Sequence, residues 1–149
     1  MSFDKIDDAI LSYQRAIKCN PHDGAVINNL AMVLLKRGTE EDIQQAVMLS
    51  SKLRSIFPNV GNIVDTYGWA LYHQGRYKEA DQEFEYSINI DPDNPYPYYH
   101  RAKTKLKLGQ EDVCFLLMET ALRISTTFDG ANEAVSILDN KRRLQGKEQ

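Results

Sequence analysis

The chain repeats itself with a period of 34 residues, the distance from Gly68 to Ala102. A shift by one period aligns Gly68, Gly75, Ala80, Phe84 and Pro92 with Ala102, Gly109, Cys114, Met118 and Thr126. In the other direction, Ala80 and Pro92 align with Ala46 and Pro58. A fixed period of this length is typical of stacked copies of one supersecondary unit. We therefore expect a solenoid in which each unit buries its apolar face against its neighbours.

Helical periodicity runs through the whole chain, and no segment alternates as a strand would. The pattern predicts eight helices, at residues 4–18, 24–37, 41–56, 60–74, 78–90, 95–108, 112–125 and 130–144. Glycine, which adopts a left-handed C′ conformation without a Cβ penalty, follows the first helix of each unit at Gly38, Gly75 and Gly109. Proline, which cannot continue a helix, follows the second helix at Pro21, Pro58 and Pro92.

Two helix starts carry capping signals. Asn94 precedes Pro95, which predicts an N-cap followed by proline at the first helical position. Thr39 with Asp42 is a variant of the capping box. This turn also holds a three-residue insertion, because eight residues separate Gly38 from Ala46 and five separate Gly75 from Ala80. Edge turns of a solenoid tolerate such insertions at small cost.

Composition narrows the function classes. Of 149 residues, 42% are hydrophobic and 26% charged, as in ordinary folded domains. The net charge of −3 lacks the basic excess of a nucleic-acid-binding surface, so we expect no nucleic-acid partner. Cys114 stands at a small-residue position and is predicted to be a buried free thiol. Cys19 lies three residues before His22, but two ligands make no metal site, so we expect neither metal nor cofactor.

The repeating unit resembles the tetratricopeptide repeat, a helix-turn-helix of 34 residues. The best copy spans 61–94 and matches the family pattern at Val64, Tyr67, Gly68, Leu71, Ala80, Phe84 and Pro92, with Val64 where tryptophan is usual. Leu53, Lys105 and Thr126 depart from the pattern. The resemblance covers about residues 4–126 and implies an all-α fold, a right-handed α-α superhelix of three to four repeats with a C-terminal capping helix.

The resemblance also divides the chain into units. It implies the second helix of a truncated repeat at 1–21, complete repeats at 24–58, 61–94 and 95–126, and a capping helix with its tail at 127–149. Within a unit, Gly68 and Ala80 are expected to face one another where the paired helices cross. Large residues such as Phe84 are expected to fill the space to the next unit.

The two ends differ in character. The first segment matches the second helix of a unit alone, so its apolar face is expected to lack a partner at Ile6, Ile10, Tyr13 and Ile17. We interpret the chain as a fragment of a longer array, and this face as a possible homodimer contact. At the other end, Asp129 is predicted to be the N-cap of a helix whose apolar stripe is Ala134, Ile137, Leu138 and Leu144.

In the tetratricopeptide family the first helix of each unit lines a concave groove. The resemblance implies a peptide-binding groove formed by Asn28, Asn29, Met32, Leu35, Lys36, Asn62, Asp65, Thr66, Trp69, Tyr72, His73, Tyr96, Tyr99, His100, Lys103 and Lys107. Amide, aromatic and cationic groups suit an extended peptide. Two alternatives stay open: Trp69 and Tyr72 could instead pack against the neighbouring repeat, and Asn28 and Asn29 could be solvated surface amides.

Some family members capture chaperone C-termini with a clamp of Lys, Asn and Arg. This sequence does not supply that clamp, because the corresponding positions hold Asn28, Met32, Thr66, Tyr96 and His100. The groove's cationic end, formed by Lys103, Lys107 and Arg101, could still prefer an acidic segment.

These features favour a non-catalytic scaffold that binds an extended peptide or partner protein. The alternatives are self-association through the N-terminal helix, or an assembly factor of a bacterial envelope or exopolysaccharide export system, since the chain resembles C-terminal arrays of bacterial tetratricopeptide proteins. Catalysis is disfavoured, because the sequence has no glycine-rich phosphate loop after a strand and no evident nucleophile with a base.

The compartment stays open. No stretch approaches the roughly 20 apolar residues of a transmembrane helix, and the start lacks the regions of a signal peptide. We expect no membrane span in this chain. The protein is either cytoplasmic or, if the parent carries an upstream signal, associated with the bacterial envelope in the periplasm.

Overall fold

The computed structural model describes residues 3–145, and the side chains of residues 5–143. Within that range the chain forms eight helices and no strand: α1 (Phe3–Cys19), α2 (Gly24–Arg37), α3 (Glu40–Ile56), α4 (Gly61–His73), α5 (Tyr77–Ile90), α6 (Pro95–Lys107), α7 (Glu111–Ile124) and α8 (Ala131–Gln145). Each predicted helix is confirmed, and its bounds agree with the prediction to within one residue.

The predicted helix ends are confirmed by backbone geometry. Three glycines adopt a positive φ after a first helix: Gly38 at 75°, Gly75 at 81° and Gly109 at 73°. The Thr39 hydroxyl accepts the Asp42 N–H at 3.2 Å, and the Asn94 side chain accepts the Tyr96 N–H at 3.1 Å. One N-cap was not predicted from the sequence: the Asp23 carboxylate accepts N–H groups in the first turn of α2.

The helices stack in two rows. Each helix packs against the one before it and the one after it, and α2, α4 and α6 also contact one another across the units. The first helices of successive units therefore form an inner row. Buried side chains gather in successive clusters along the stack rather than around one centre. This arrangement is expected when each unit contacts mainly its neighbours.

The inserted turn before α3 is held by an ion pair between the partly exposed Arg37 and the buried Asp42. Arg37 donates from Nε and Nη2 to the two carboxylate oxygens of Asp42, at 2.7 and 2.6 Å. The Asp42 side chain is 3% exposed, and the hydrogen bonds from Arg37 lower its pKa. The same guanidinium donates to Asp7 of α1 at 2.7 Å. One residue thus ties the first three helices together through charge-assisted hydrogen bonds.

The close approach inside a unit differs from the prediction. A Cβ on Gly68 would lie 2.8 Å from Phe84 Cε1 and 3.2 Å from Glu83 Cβ, so the Phe84 ring, and not Ala80, is the nearest neighbour. Ala80 is itself fully buried. The absence of a side chain at Gly68 makes room for an aromatic ring one turn further along α5. Phe84 also reaches the next unit, with its ring centroid 5.6 Å from that of His100.

The prediction that the apolar face of α1 lacks a partner is wrong. Ile6 and Ile10 are 5% and 4% exposed, and they pack with Leu30, Ala31 and Leu34 of α2. Tyr13 and Ile17 are partly buried against the same cluster. The first helix of the following unit covers this face.

The start of α8 also differs from the prediction. Asp129 is not the N-cap, because α8 begins at Ala131 and the Gly130 carbonyl accepts the Ala134 N–H at 3.0 Å. The Asp129 carboxylate instead lies 3.3 Å from Lys36 Nζ. The apolar stripe is confirmed, since Ala134 and Leu138 are buried and Ile137 packs against them. Leu144 lies outside the residues whose side chains are described.

Both cysteines are free. Cys114 is fully buried, as predicted, and burial raises the pKa of its thiol, whereas Cys19 is exposed. Among the described residues, no three His, Cys, Asp or Glu side chains come together in a way that would hold a metal ion. Over the same part of the chain, no helix has both the length and the apolar composition needed to cross a bilayer.

Candidate functional site

The inner row and the start of α8 form an open cavity of about 430 Å³, here called the groove. Helices α2, α4 and α6 supply most of the predicted lining residues, and the α7–α8 segment supplies the remaining wall. The groove is lined by Met32, Val33, Leu35, Lys36, Trp69, His73, Tyr96, Tyr99, His100, Asp129, Gly130 and Glu133.

A stack of rings forms the floor of the groove. The Trp69 ring lies parallel to the Tyr72 ring at 4.5 Å and to the His100 ring at 4.2 Å. His73 meets Trp69 edge-on at 4.7 Å. Trp69 is partly exposed, so it both packs against the next unit and faces the cavity. For Trp69, packing against the neighbouring repeat and a place in the lining of the cavity are therefore compatible.

His100 is held in place by a buried carboxylate. Its Nδ1 lies 3.0 and 3.1 Å from the two oxygens of Asp65, and the two residues are 4% and 5% exposed. Asp65 therefore supports the groove from beneath and does not line it. A buried carboxylate needs a hydrogen-bond partner, and His100 is the partner of Asp65. This pairing holds the His100 ring in the orientation in which it stacks on Trp69.

A charged wall from α8 closes one side of the groove. Lys103 Nζ lies 2.8 Å from Glu133 Oε1, and the Tyr99 hydroxyl donates to the other carboxylate oxygen. Burial by itself would raise the pKa of Glu133, but these two hydrogen bonds outweigh it and lower the pKa. Burial and the contact with Glu133 raise the pKa of Tyr99. The Lys103 ammonium also lies 5.9 Å from the Trp69 ring and 5.6 Å from the Tyr99 ring, within range of cation–π attraction.

Two of the three residues of the predicted cationic end, Lys103 and Arg101, are paired with carboxylates, and the third, Lys107, lies outside the groove lining. Lys103 pairs with Glu133, and Arg101 pairs with Asp81 at 2.9 Å and with Glu85 at 3.1 Å. Lys36 pairs with Asp129 across the groove. The geometry therefore gives no support to a preference for acidic segments at this place.

Several predicted groove residues lie elsewhere. Asn28 and Asn62 line a separate cavity of about 300 Å³ near the starts of α2 and α4. Asn29 and Lys107 are exposed outside the groove lining. Thr66 is buried and donates its hydroxyl to the Asn62 carbonyl of its own helix at 2.8 Å. Tyr72 contributes through its stack with Trp69.

The α8 wall was missed by sequence reasoning. Asp129 and Glu133 stand four residues apart around the start of a helix, and this spacing is the one available signal. Nothing in that spacing indicates that Asp129 pairs with Lys36, which is 93 residues away in the chain, or that Glu133 pairs with Lys103.

The groove contains a histidine, His73, whose pKa is strongly lowered. Burial, with smaller contributions from the neighbouring His100 and Lys103, lowers the pKa of His73 from 6.5 to about 4. The unfolded chain therefore binds a proton at this residue at higher pH than the folded chain does, so acidification favours unfolding. We expect the urea midpoint to fall as the pH is lowered from 6.5 to about 4, and to fall less in His73→Gln.

The matched control for this experiment is His22→Gln, since His22 is exposed in a turn. Its pH profile should follow that of the wild type. A His73→Gln profile that also follows the wild type would contradict the assignment of the acid sensitivity to His73.

The repeat geometry agrees with comparisons to known proteins. A family model described as "Tetratricopeptide repeat" matches residues 12–45, and one described as "TPR repeat" matches residues 68–109. The chain belongs to the tetratricopeptide repeat family. The fold of this family is generally a protein–protein interaction scaffold, and such scaffolds are generally non-catalytic.

Two curated relatives are informative. The chain is 29% identical over 101 residues to the small glutamine-rich tetratricopeptide repeat-containing protein 2 of Mycosarcoma maydis, covering 68% of this chain and 28% of that protein. It is 22% identical over 144 residues to the human mitochondrial import receptor subunit TOM70, covering 93% and 24%. The chain thus spans about a quarter of the length of these curated relatives.

Solved structures share the fold. A thermophilic TPR protein of Thermus thermophilus superimposes with a TM-score of 0.81 at 20% identity, covering 96% of this chain and 76% of that one. The type III secretion translocator chaperone SycD of Yersinia enterocolitica superimposes with a TM-score of 0.70 at 15% identity, covering 82% and 93%. The predicted all-α TPR superhelix is confirmed.

Proposed function

We propose that this chain is a non-catalytic scaffold that binds a segment of a partner polypeptide in the groove. The observation that carries the proposal is the partly exposed Trp69 ring, held between Tyr72 and His100 on the floor of the cavity. A large aromatic side chain that is already fixed in place loses little entropy on binding, and such residues dominate binding energies at interfaces.

The lining indicates the kind of segment that fits. Aromatic and aliphatic side chains cover the floor, and two ion pairs stand at the rim, Lys36–Asp129 and Lys103–Glu133. A cavity of about 430 Å³ is within the range that holds a small ligand or a few side chains. We infer that an apolar or aromatic side chain of the partner enters the cavity, while its polar main chain lies along the charged rim.

The relatives support a role in handling other polypeptides. One solved neighbour is named as a translocator chaperone, and one curated relative as an import receptor subunit. A bacterial source stays a prediction, since the solved neighbours come from Thermus and Yersinia but the curated relatives come from Mycosarcoma maydis and human. Assembly of an envelope or exopolysaccharide export system stays a prediction.

Self-association was predicted from an uncovered α1 face. Since α2 covers Ile6 and Ile10, that surface no longer motivates a homodimer. Groove binding is therefore the function that the geometry supports best.

Replacement of Trp69 by alanine should weaken capture of a groove ligand at least tenfold, a loss of about 1.4 kcal/mol. The ring provides both the exposed aromatic surface and the stack that orders its neighbours. The measurement is affinity capture from the native cell with the wild type and Trp69→Ala, followed by titration of a synthetic peptide from the captured partner.

Lys107→Ala is the matched control, because Lys107 is exposed on α6 outside the groove lining. Circular dichroism should be alike in all three proteins. A partner that binds Trp69→Ala as tightly as the wild type would overturn the assignment of the groove as the binding site.

A further inference from the structure

One ion pair spans the mouth of the groove. Lys36 stands near the end of α2, on one wall, and Asp129 stands in the turn before α8, on the opposite wall. Lys36 Nζ lies 3.3 Å from Asp129 Oδ2. The two helices are not neighbours in the stack, because α4 and α6 lie between them and carry the floor. This contact, here called the bridge, therefore joins the first helix of the inner row to the cap.

The bridge lies on the solvent side of the cavity. The Lys36 and Asp129 side chains are 47% and 81% exposed, whereas Trp69 on the floor is partly buried. A molecule that approaches Trp69 from solvent therefore passes the bridge.

The turn that carries Asp129 is fixed independently of the bridge. Phe128 is 8% exposed, and its ring meets those of Tyr96 and Tyr99 edge-on at 5.8 and 5.5 Å. The Gly130 backbone approaches the Tyr99 ring so closely that a Cβ would not fit. The Asp129 N–H also lies 3.4 Å from the Tyr96 hydroxyl, to which it donates. Loss of the bridge should therefore free two side chains without moving the turn.

The second ion pair of the rim is held more firmly. Lys103 lies 2.8 Å from Glu133, and its side chain is 25% exposed. The Glu133 carboxylate accepts a further hydrogen bond from the Tyr99 hydroxyl. Among the described contacts, the Lys36–Asp129 pair is longer, more exposed and without a third partner. The bridge is thus the pair that should open first.

The repeat supplies a matched position for Lys36. The equivalent residue is His73 in the next unit, 37 residues later, and Lys107 in the unit after that, a further 34 residues on. Lys107 is also exposed, but it lies outside the groove lining, and no ion pair is found for it among the described residues. A lysine at this repeat position therefore spans the mouth on α2 and reaches solvent alone on α6.

We propose that the bridge gates the groove: it narrows the mouth while the pair is formed, and it opens the mouth as salt screens the pair. This inference rests on the proposed function, since it concerns how a partner segment enters and leaves the same cavity. An exposed ion pair favours its paired state only about two- to fivefold, so the bridge opens without any change in the rest of the fold. A segment that enters while the bridge is open is retained when the pair forms again.

The test measures access to the floor and needs no ligand. Trp69 is the one tryptophan of the chain, so quenching of its fluorescence by acrylamide reports the entry of a small neutral molecule into the groove. Because acrylamide carries no charge, salt changes its entry only through the protein. We expect the quenching constant of the wild type to rise about 1.5- to 3-fold between about 10 mM and about 1 M sodium chloride, as the paired fraction falls.

Charge-reversed variants give the sign of the effect. Lys36→Asp sets two carboxylates opposite one another, and Asp129→Lys sets two ammonium groups opposite one another. In each variant the quenching constant should already be high at low salt, and added salt should no longer raise it. The double variant restores an ion pair and should restore the rise with salt. Lys107→Asp is the matched control, and its salt profile should follow that of the wild type.

Three results would overturn the proposal. The first is a wild-type quenching constant that does not change with salt, and the second is a double variant that behaves like either single variant. The third is faster hydrogen exchange of the α8 amides at high salt, which would assign the effect to detachment of α8. Circular dichroism checks that each variant is folded. The wild-type salt series contains no substitution, so it decides the question even if a variant does not fold.

The outcome is separate from that of the capture experiment with Trp69→Ala. Salt-independent quenching together with capture that depends on Trp69 would remove the gate and retain groove binding. Salt-dependent quenching together with capture that does not depend on Trp69 would remove groove binding, and the bridge would then gate no partner.

Discussion

Replacement of Gly130 by alanine should lower the free energy of unfolding of the C-terminal part of the solenoid by about 4 kcal/mol, because two effects add. Gly130 has a φ of 109°, a conformation that costs a residue with a Cβ about 1–3 kcal/mol. The added Cβ would also lie 2.5 Å from Tyr99 Cζ, and forcing an extra group into a packed site costs about 1–3 kcal/mol. Urea unfolding and hydrogen exchange of the α8 amides would measure the loss.

Gly75→Ala is the matched control for this prediction. Gly75 has a similar positive φ, 81°, but a Cβ there would meet nothing within 4 Å. It should therefore cost only about 1–2 kcal/mol of backbone strain. Equal losses in the two variants would mean that Tyr99 moves aside freely, and would contradict the close packing of α8 on α6.

The effect of Gly130→Ala should reach the groove. Gly130 allows the start of α8 to approach Tyr99, and this approach brings Asp129 to Lys36 and Glu133 to Lys103. If α8 detaches, the groove loses its charged wall while the ring stack on α4 and α6 stays. A groove ligand should then bind more weakly and also with weaker salt dependence, since the rim charges no longer contribute.

The helices were predictable because their signals are local. Gly38, Gly75 and Gly109 end their helices by a conformation that few other residues adopt, and Thr39 and Asn94 begin theirs through side-chain caps. Each signal acts within a few residues of chain, so the sequence alone is sufficient. The 34-residue period then specified the stacking order, because each unit contacts mainly its neighbours.

The groove was predictable only in part. The family resemblance placed Trp69, Tyr96 and His100 in the groove, and all three line the cavity. The same resemblance placed Asp65 and Thr66 in the groove, but both are buried and neither lines the cavity. Whether a residue at the edge of a face meets the cavity or the next helix depends on how the helices cross, and the crossing is set by side chains of two units.

Contacts between distant parts of the chain escaped prediction altogether. The pairing of Lys36 with Asp129 follows from the curvature of the whole stack, which no local pattern encodes. The covered face of α1 is a similar case. A helix with an apolar face suggested a missing partner, yet Ile6 and Ile10 are buried in the cluster formed with α2. An amphipathic pattern indicates that a face is buried and does not identify the helix that covers it.

The second large effect is expected at Asp65, beneath the groove. Asp65→Ala should lower the free energy of unfolding by about 3 kcal/mol, because it removes the partner of a buried histidine and leaves the His100 Nδ1 unpaired. The protein has one tryptophan, so the fluorescence of Trp69 reports directly on the ring stacked against His100. We expect the emission to shift to longer wavelength as the stack loosens and admits water. Asp65→Asn keeps an acceptor oxygen and should fall between alanine and the wild type.

Asp81→Ala separates burial from charge as the cause of this loss. Asp81 also pairs with cations, Arg101 at 2.9 Å and Lys105 at 2.8 Å, but its side chain is 17% exposed, whereas that of Asp65 is 7% exposed. Removal of the less buried Asp81 should therefore cost less stability than removal of Asp65, and the fluorescence of Trp69 should stay unchanged because Asp81 pairs with none of the stacked rings. If Asp65→Ala proved no more damaging than Asp81→Ala, and the Trp69 emission stayed unchanged, the His100–Asp65 pair would not be what holds the floor of the groove in place.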